Sequence, residues 1–595
     1  MAKEYDRRNL DFILNEVFDT ASLCNYPRYA DYTPDMFSMV LDSAEAIAEK
    51  YLRPIYVDSD RKAAELVNGT VQVHPGIEPY IKEMGESGMI GCTFDLEHGG
   101  QQVPSMIGGA HEFIRGAAHN SAVMFTGLSH GAAHLIASFG SKELADTYVP
   151  NMLSGKWTGT MCLTEPQAGS SLNDASTSAK DLGDGTYAIK GQKIFISGGD
   201  NHFSENIIHL VLARLEGAPA GTKGISLFVV PKKRIENGGL VNNEVVSLGV
   251  YHKMGQKATP ALHLSFGDKG NSIGYLVGEP NKGLSYMFQM MNEARLGVGM
   301  GGAYIASAAY HASKQYANER AQGRLLTNKD PNTPPTLIKN HPDVQRMLYF
   351  QKAIVEGSMG LLFQCFMWDD LAKSLEGEEK KEAQMMLDLM TTVAKTYPAE
   401  MGTLAVNQGL QVLGGYGYTE DFPLEQMARD VRIMSIYEGT TGIHGLTLLG
   451  RGIPANNGAA LQTLGKLVYA DIAVAKGHES IAKYAGILEK ELENLTKVTM
   501  HKLGFAMKGE IDVFLADSTL YMELFGLITV AWQWLKQGHV AAAALAKGGL
   551  SAEDEAFYKD KIHTMKFFYH YEVPKALGLS TRLMDEEVLT IFDNK

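Results

Sequence analysis

Residues 157–278 interrupt a chain otherwise patterned for helices, and that interruption constrains the fold more than any other feature. Before it, from Asp35 to Leu153, apolar residues recur at helical spacing: Met36, Phe37, Met39, Val40 and Leu41, then Ala44, Ile47, Ala48, Tyr51 and Leu52, with Pro54 closing that segment. Within the interruption, short runs rich in Val, Ile, Phe and Thr stand between glycine-containing turns: Tyr187 to Ile189, Lys193 to Ile196, Ile208 to Ala213, Ile225 to Val230 and Leu262 to Phe266. These predict strands. Asp184-Gly185 supplies the positive backbone angle of a tight hairpin, and Pro231 ends another strand. After Gly283 the helical period returns, as in Leu284, Met287, Phe288 and Met291, and persists almost to the end. At 595 residues the chain exceeds what one hydrophobic core organises. The expected class is α+β: an N-terminal helical domain (1–155), a middle antiparallel β-barrel or sandwich (156–280), a C-terminal helical bundle (281–451) and an additional helical domain (452–595).

Two polar stretches punctuate the helical regions. Thr327 to Thr336 holds three prolines and cannot continue a helix, so it is expected as a surface excursion, and Gly452 to Gly458 reads as a linker. The longest apolar candidate for a membrane span, Leu524 to Leu535, has 12 residues, short of the roughly 20 that spanning requires. A buried helix is expected there. The N-terminus is charged with no apolar run behind it, which predicts no secretory signal. Cys24, Cys92, Cys162 and Cys365 lie far apart with no C-x-x-C pair, predicting neither disulfides nor zinc and suiting a reducing cytoplasm. A net charge of -14 argues against a phosphate backbone as partner.

Chemistry concentrates in a few motifs. Arg429 to Thr441 sets one carboxylate, Glu438, on a Gly-Thr-Thr turn after an apolar segment. A carboxylate shielded from water holds a proton more tightly and so makes a stronger base. In Met161-Cys162-Leu163-Thr164-Glu165-Pro166-Gln167-Ala168-Gly169-Ser170, Thr164 offers a hydroxyl while Ala168-Gly169-Ser170 lets main-chain N–H groups approach a phosphate. In Lys193-Ile194-Phe195-Ile196-Ser197, period two puts Phe195 and Ser197 on one face. Gln411-Val412-Leu413-Gly414-Gly415-Tyr416-Gly417-Tyr418 pairs two glycines for close backbone approach. Gly297 to Gly302 lacks the surrounding βαβ unit of a dinucleotide loop and reads as close helix packing. His130 and His134 are spaced like metal ligands, but no acidic partner follows, and polar lining or core hydrogen bonding is expected.

These motifs, in this order and on this pattern of helices and strands, resemble the acyl-CoA dehydrogenase family. The resemblance covers Asp35 to Arg451 well and the remainder loosely; it is nearest the enlarged bacterial members with an extra C-terminal helical domain, types acting on long chains or on 3-methylthiopropionyl-CoA. It implies FAD as cofactor, held by Met161, Leu163, Thr164, Gly169, Ser170, Phe195, Ser197, Arg320, Gln322, Gln411, Gly414, Gly415 and Thr440. It implies an acyl-CoA substrate contacted by Ser170, Arg295, Glu438 and Gly439, and α,β-dehydrogenation to the trans-2-enoyl-CoA with Glu438 as the α-proton base and flavin N5 receiving hydride. Several positions depart from the family pattern. Phe195 stands where many relatives have Trp, Ser197 where many have Thr, Gly442 where many have Gln, and the usual Phe before Gly323 is absent. Some relatives carry the base on another helix, where this chain has Ala294; Glu293 is one residue earlier, about 100° away around a helix, and is expected to be solvated or ion-paired. The resemblance further implies fatty acid metabolism, electron-transfer flavoprotein as electron acceptor, no membrane span and a homodimer. An acyl-CoA oxidase-like flavoenzyme and a DNA-associated flavoprotein of the same fold are the alternatives.

Overall fold

A computed structural model describes residues 3–591. They form two compact units, one of residues 35–294 and one of residues 3–34 with 295–591.

The 35–294 unit begins with helices and continues into a sheet. Ser141 starts one helix, Lys142–Leu153, by accepting a hydrogen bond from the Leu144 N–H at 3.2 Å. The Val123–Phe139 helix meets the first strand of the sheet, Trp157–Cys162, where the Gly159 N–H donates to Ser129 Oγ at 3.0 Å. A side chain at Gly159 would run into Met152 and Ala132. The sheet has the strand order Val245–Val250, Ala261–Phe266, Tyr187–Ser197, Ser272–Val277, Ile225–Pro231, Asn206–Leu215, Trp157–Cys162, with Ser178–Asp181 pairing both Tyr187–Ser197 and Asn206–Leu215. Every residue of Ile225–Pro231 is buried, as expected of a strand covered on both faces. The five expected strand runs all fall in strands, and Leu182 N donates to Thr186 O across the Asp184-Gly185 turn. One difference concerns direction. Trp157–Cys162 and Ser178–Asp181 pair parallel to Asn206–Leu215, so the sheet is mixed rather than wholly antiparallel.

The second unit is helical. Pro342–Ser374 and Gly377–Leu413 are long helices joined by a two-residue link, Leu375 and Glu376, and pack against each other. Ser518–Lys547 lies against the first of them: Trp534 is fully buried and donates from Nε1 to Ala353 O at 3.0 Å, filling the space left by Gly357. Leu524 to Leu535 is thus the buried middle of a packed helix, and among the described residues no helix is long and apolar enough to cross a membrane. Residues 3–34 belong here, with Tyr29 Oη donating to buried Asp370 at 2.7 Å and Arg8 Nη2 to Tyr558 Oη at 3.1 Å. The segment 327–336 is exposed apart from Thr333 and Thr336, which are half-buried. The glycine-rich stretch ending at Gly302 sits inside the Gly283–Glu319 helix, with Gly299 and Gly302 pressed on the backbone of Ala394 and Pro398.

Candidate active site

In the 35–294 unit the structure brings two of the sequence motifs side by side. Ile194 N donates to Thr164 O at 2.9 Å, and Lys193 Nζ reaches Leu163 O at 3.1 Å. The same ammonium meets Glu165 Oε1 at 2.8 Å, with both side chains buried. Glu165 also accepts from Ser176 N at 2.7 Å and Thr177 N at 3.1 Å. Burial alone raises its pKa, but Lys193 and these donors outweigh it and hold the carboxyl at about 2. This ion pair fixes the turn that leaves Gly169 and Ser170 exposed. Sequence reasoning passed over it; the signal was that period two places Lys193 on the same inward face as Ile189.

Phe195 sits in a β-bulge. Leu262 pairs with Ile196 and Leu264 with Lys193, so Ile194 and Phe195 together oppose His263. Phe195 has φ +58°, a left-handed conformation that costs an aromatic residue on the order of 1–3 kcal/mol and gathers at functional sites. Bulges re-aim side chains. Here Ile196 is buried while Phe195 is 58% exposed, its ring 4.5 Å from that of Tyr251. Ser197 shares the Phe195 side of the strand and is half-buried.

In the other unit the loop Ile436–Thr440 carries the proposed base. Glu438 has φ +52° and Gly439 φ +91°. Thr440 caps the Thr441–Thr447 helix, accepting from Ile443 N at 3.4 Å, and Thr441 donates to Glu400. Lys395, from the Gly377–Leu413 helix, donates to Gly439 O at 2.8 Å, and His444 Nε2 donates to Glu438 O at 3.1 Å. Among the described residues the Glu438 N–H has no backbone acceptor. Desolvation raises the pKa of the Glu438 carboxyl, while first Arg295 and then Lys395 oppose the rise. Arg295 is buried on the Gly283–Glu319 helix, where desolvation lowers its pKa and Glu438 supports its charge. Burial thus raises the proton affinity of this carboxylate while two cations restrain the rise, the kind of balance found at acid–base sites.

The remaining predicted residues lie elsewhere on this unit. Gln411, Gly414 and Gly415 are exposed at the end of the Gly377–Leu413 helix, and a Cβ added at either glycine meets nothing within 4 Å. Arg320 and Gln322 are exposed on a strip that pairs with 336–338, through Gln322 N to Thr336 O and Ile338 N to Arg320 O. No hydrogen bond joins either group to the Glu438 loop among the described residues. Glu293 Oε2 lies 3.0 Å from His134 Nδ1, and His130 Nδ1 is 2.8 Å from Ile90 O. In the 35–294 unit, an open aromatic face at Phe195 and the exposed Gly169 and Ser170 suit a ligand with a flat ring system and phosphate.

The chain matches four domain families in succession: "Acyl-CoA dehydrogenase, N-terminal domain" over residues 35–156, "Acyl-CoA dehydrogenase, middle domain" over 160–268, "Acyl-CoA dehydrogenase, C-terminal domain" over 340–453 and "Acetyl-CoA dehydrogenase C-terminal like" over 464–591. It is 35% identical to a 3-methylmercaptopropionyl-CoA dehydrogenase of Ruegeria pomeroyi, over 92% of this chain and 93% of that one. It is 31% identical to a butyryl-CoA dehydrogenase of Syntrophomonas wolfei, over 96% and 95% respectively. A solved acyl-CoA dehydrogenase of Bacillus anthracis, complexed with FAD, shares the fold with a TM-score of 0.75 at 20% identity, covering 96% of this chain and 91% of that chain. With such identity sustained along nearly its whole length, this chain belongs to the acyl-CoA dehydrogenase family of oxidoreductases.

Proposed function

We propose that the protein is an FAD-dependent dehydrogenase of saturated acyl-CoA thioesters, with Glu438 as the base that removes the α-proton. The observation that carries this is the Glu438 carboxyl itself: raised in pKa by desolvation, flanked by Arg295 and Lys395, and mounted on a left-handed loop held by two side-chain donors. Bound FAD supplies the acceptor for the β-hydride. Met161, Leu163, Thr164, Gly169, Ser170, Phe195 and Ser197 are the residues assigned to its ring and pyrophosphate, with Arg320, Gln322, Gln411, Gly414, Gly415 and Thr440 assigned to its remaining contacts. Ser170, Arg295 and Gly439 are assigned to the thioester.

An α-proton beside a thioester is too weakly acidic for a free carboxylate, so the substrate carbonyl must be polarised as the proton leaves. The Glu438 N–H, without a backbone acceptor, is a donor available for that oxygen. A positioned base contributes ~10²–10⁴-fold and an oxyanion donor on the order of 10²–10³-fold. Arg295 favours the ionised form of Glu438, and burial raises the affinity of that carboxylate for the α-proton. The four-part division at 155, 280 and 451, a homodimeric assembly and electron-transfer flavoprotein as electron acceptor belong to the same reading.

The test is anaerobic flavin bleaching with a panel of acyl-CoA thioesters that includes butyryl-CoA, longer linear chains and 3-methylthiopropionyl-CoA. Glu438→Gln is expected to purify as yellow holoprotein and to lose bleaching by at least ~10²-fold. Bleaching at the parental rate removes Glu438 as the base.

A further inference from the structure

We propose that Lys395 and His444 are positioning residues for Glu438, the ammonium on the Gly439 carbonyl and the imidazole on the Glu438 carbonyl together fixing the left-handed peptide that bears the carboxylate. This rests on the reading of Glu438 as the base. Lys395 has no exposed surface, and among the described residues its one hydrogen-bond acceptor is Gly439 O, at 2.8 Å. An ammonium has three donors and is costly to bury. A lysine that served only to pack the helix would not need its charge, whereas one aimed at a loop carbonyl beside a carboxylate acts on that loop.

His444 is equally buried. Since a carbonyl only accepts, its contact with Glu438 O makes Nε2 the protonated nitrogen, and Nδ1 is buried without a partner. Desolvation, then Lys395 and Arg295, hold the ring at about 3, so it stays a neutral donor with one tautomer. Two successive carbonyls are therefore gripped, one from the long Gly377–Leu413 helix and one from the Thr441–Thr447 helix that follows the loop. Gly439 is required between them: its φ is +91°, and a Cβ there would stand 2.8 Å from His444 Nε2.

The charges facing this group come from four helices. Arg295 lies on Gly283–Glu319, Lys395 and Glu400 on Gly377–Leu413, His444 on Thr441–Thr447, and Glu523, coupled to Glu400, on Ser518–Lys547. Removing the Lys395 charge takes away a cation that favours the ionised form of Glu438, so the carboxyl should keep its proton to higher pH.

The experiment uses the full-length protein as Lys395→Met, Lys395→Arg and His444→Phe, with folding checked by thermal unfolding. One arm follows labelling of Glu438 by a water-soluble carbodiimide, which takes the protonated carboxyl, read as peptide mass against pH without added FAD. The other follows kcat and KM against pH in the FAD-loaded enzyme. In Lys395→Met the labelling is expected to persist to higher pH, the acidic limb of kcat to move the same way, and kcat to fall on the order of 10²-fold with KM little changed. Lys395→Arg should recover the labelling profile. If Lys395→Met does not fold, two other variants carry the test: Lys395→Arg with parental labelling and His444→Phe, which keeps a ring but removes the donor, with lowered kcat at constant KM support the assignment. A folded Lys395→Met whose labelling profile and acidic limb coincide with the parent, or His444→Phe with parental kcat, overturns it. Failure of the underlying base assignment is recognised separately, as Glu438→Gln that still bleaches.

Discussion

Replacing Gly299 by Ala tests whether the two helices carrying Arg295 and Lys395 are held at a distance only glycine permits. In an open helix the change stabilises by about 0.5–1 kcal/mol, because glycine gives up more backbone freedom on folding. Gly299 is not open. A Cβ there would lie 2.0 Å from Ala394 O and 2.9 Å from its carbonyl carbon, against an ordinary contact of at least 3.4 Å, so the backbones must part by 3.4 − 2.0 = 1.4 Å. The carbonyl in question has a particular history. Pro398 lies inside the Gly377–Leu413 helix and lacks an N–H, so Ala394 O, four residues earlier, loses its helical donor and turns toward the Gly299 backbone. Overpacking of this kind costs about 1–3 kcal/mol. After subtracting the helix-propensity gain, Gly299→Ala should destabilise by about 1–2 kcal/mol, read as a lower urea midpoint at unchanged slope. Gly486→Ala is the control: it sits in the Glu479–Met507 helix with nothing within 4 Å and should stabilise. Because Arg295 precedes Gly299 by one turn and Lys395 follows Ala394, the destabilised variant should also lose activity. If Gly299→Ala raises the midpoint as Gly486→Ala does, the close approach is not what fixes these helices and the argument for glycine there is wrong.

Two further expectations concern buried charge. Glu165, held at about 2 against an ordinary 4.5, contributes stability that is fully present above 4.5 and is lost as pH falls toward 2. Glu165→Gln, which strands buried Lys193, should cost about 3 kcal/mol at neutral pH and flatten the acid dependence of the urea midpoint in that window. In the other unit, buried Lys561 donates to Asn9, to Glu356 Oε2 at 2.8 Å and to Gln537 Oε1 at 3.2 Å. Lys561→Met should destabilise by about 3–5 kcal/mol, and adding Glu356→Gln should recover part of the loss; an additive double variant would show that the pair is not coupled.

Much of the fold could be read locally because it is decided locally. The run Ile208 to Ala213 is apolar but for His209 and lies within the strand Asn206–Leu215, and the prolines of 327–336 keep that segment out of any helix. What could not be read is which element meets which. Trp157–Cys162 pairs parallel to a strand more than forty residues later, with Trp157 opposite Asn206, and nothing in either run specifies the direction of the other. Residues 3–34 precede the N-terminal helices in sequence, yet their partners include Met359, Asp370 and Tyr558. A local period says that a face is apolar, not what covers it.

The same distinction separates Glu438 from the residues that hold it. Glu438 stands in a motif, so its neighbours in sequence single it out as a candidate. Lys395 has no motif: it is the only charge between Asp388 and Glu400, in a stretch where Leu389 to Ala399 are all buried. A lone cation in such a run must find an acceptor or be destabilising, and that demand was the available signal. It says that an acceptor exists without saying where. The acceptor is a carbonyl forty-four residues away, exposed to Lys395 only because Gly439 takes a left-handed turn and Pro398 and Gly299 let the helices close. The position of the proposed base in sequence and the origin of its proton affinity thus belong to different levels of structure: the carboxylate comes with the loop, but the cations that favour its ionised form come with the packing of helices.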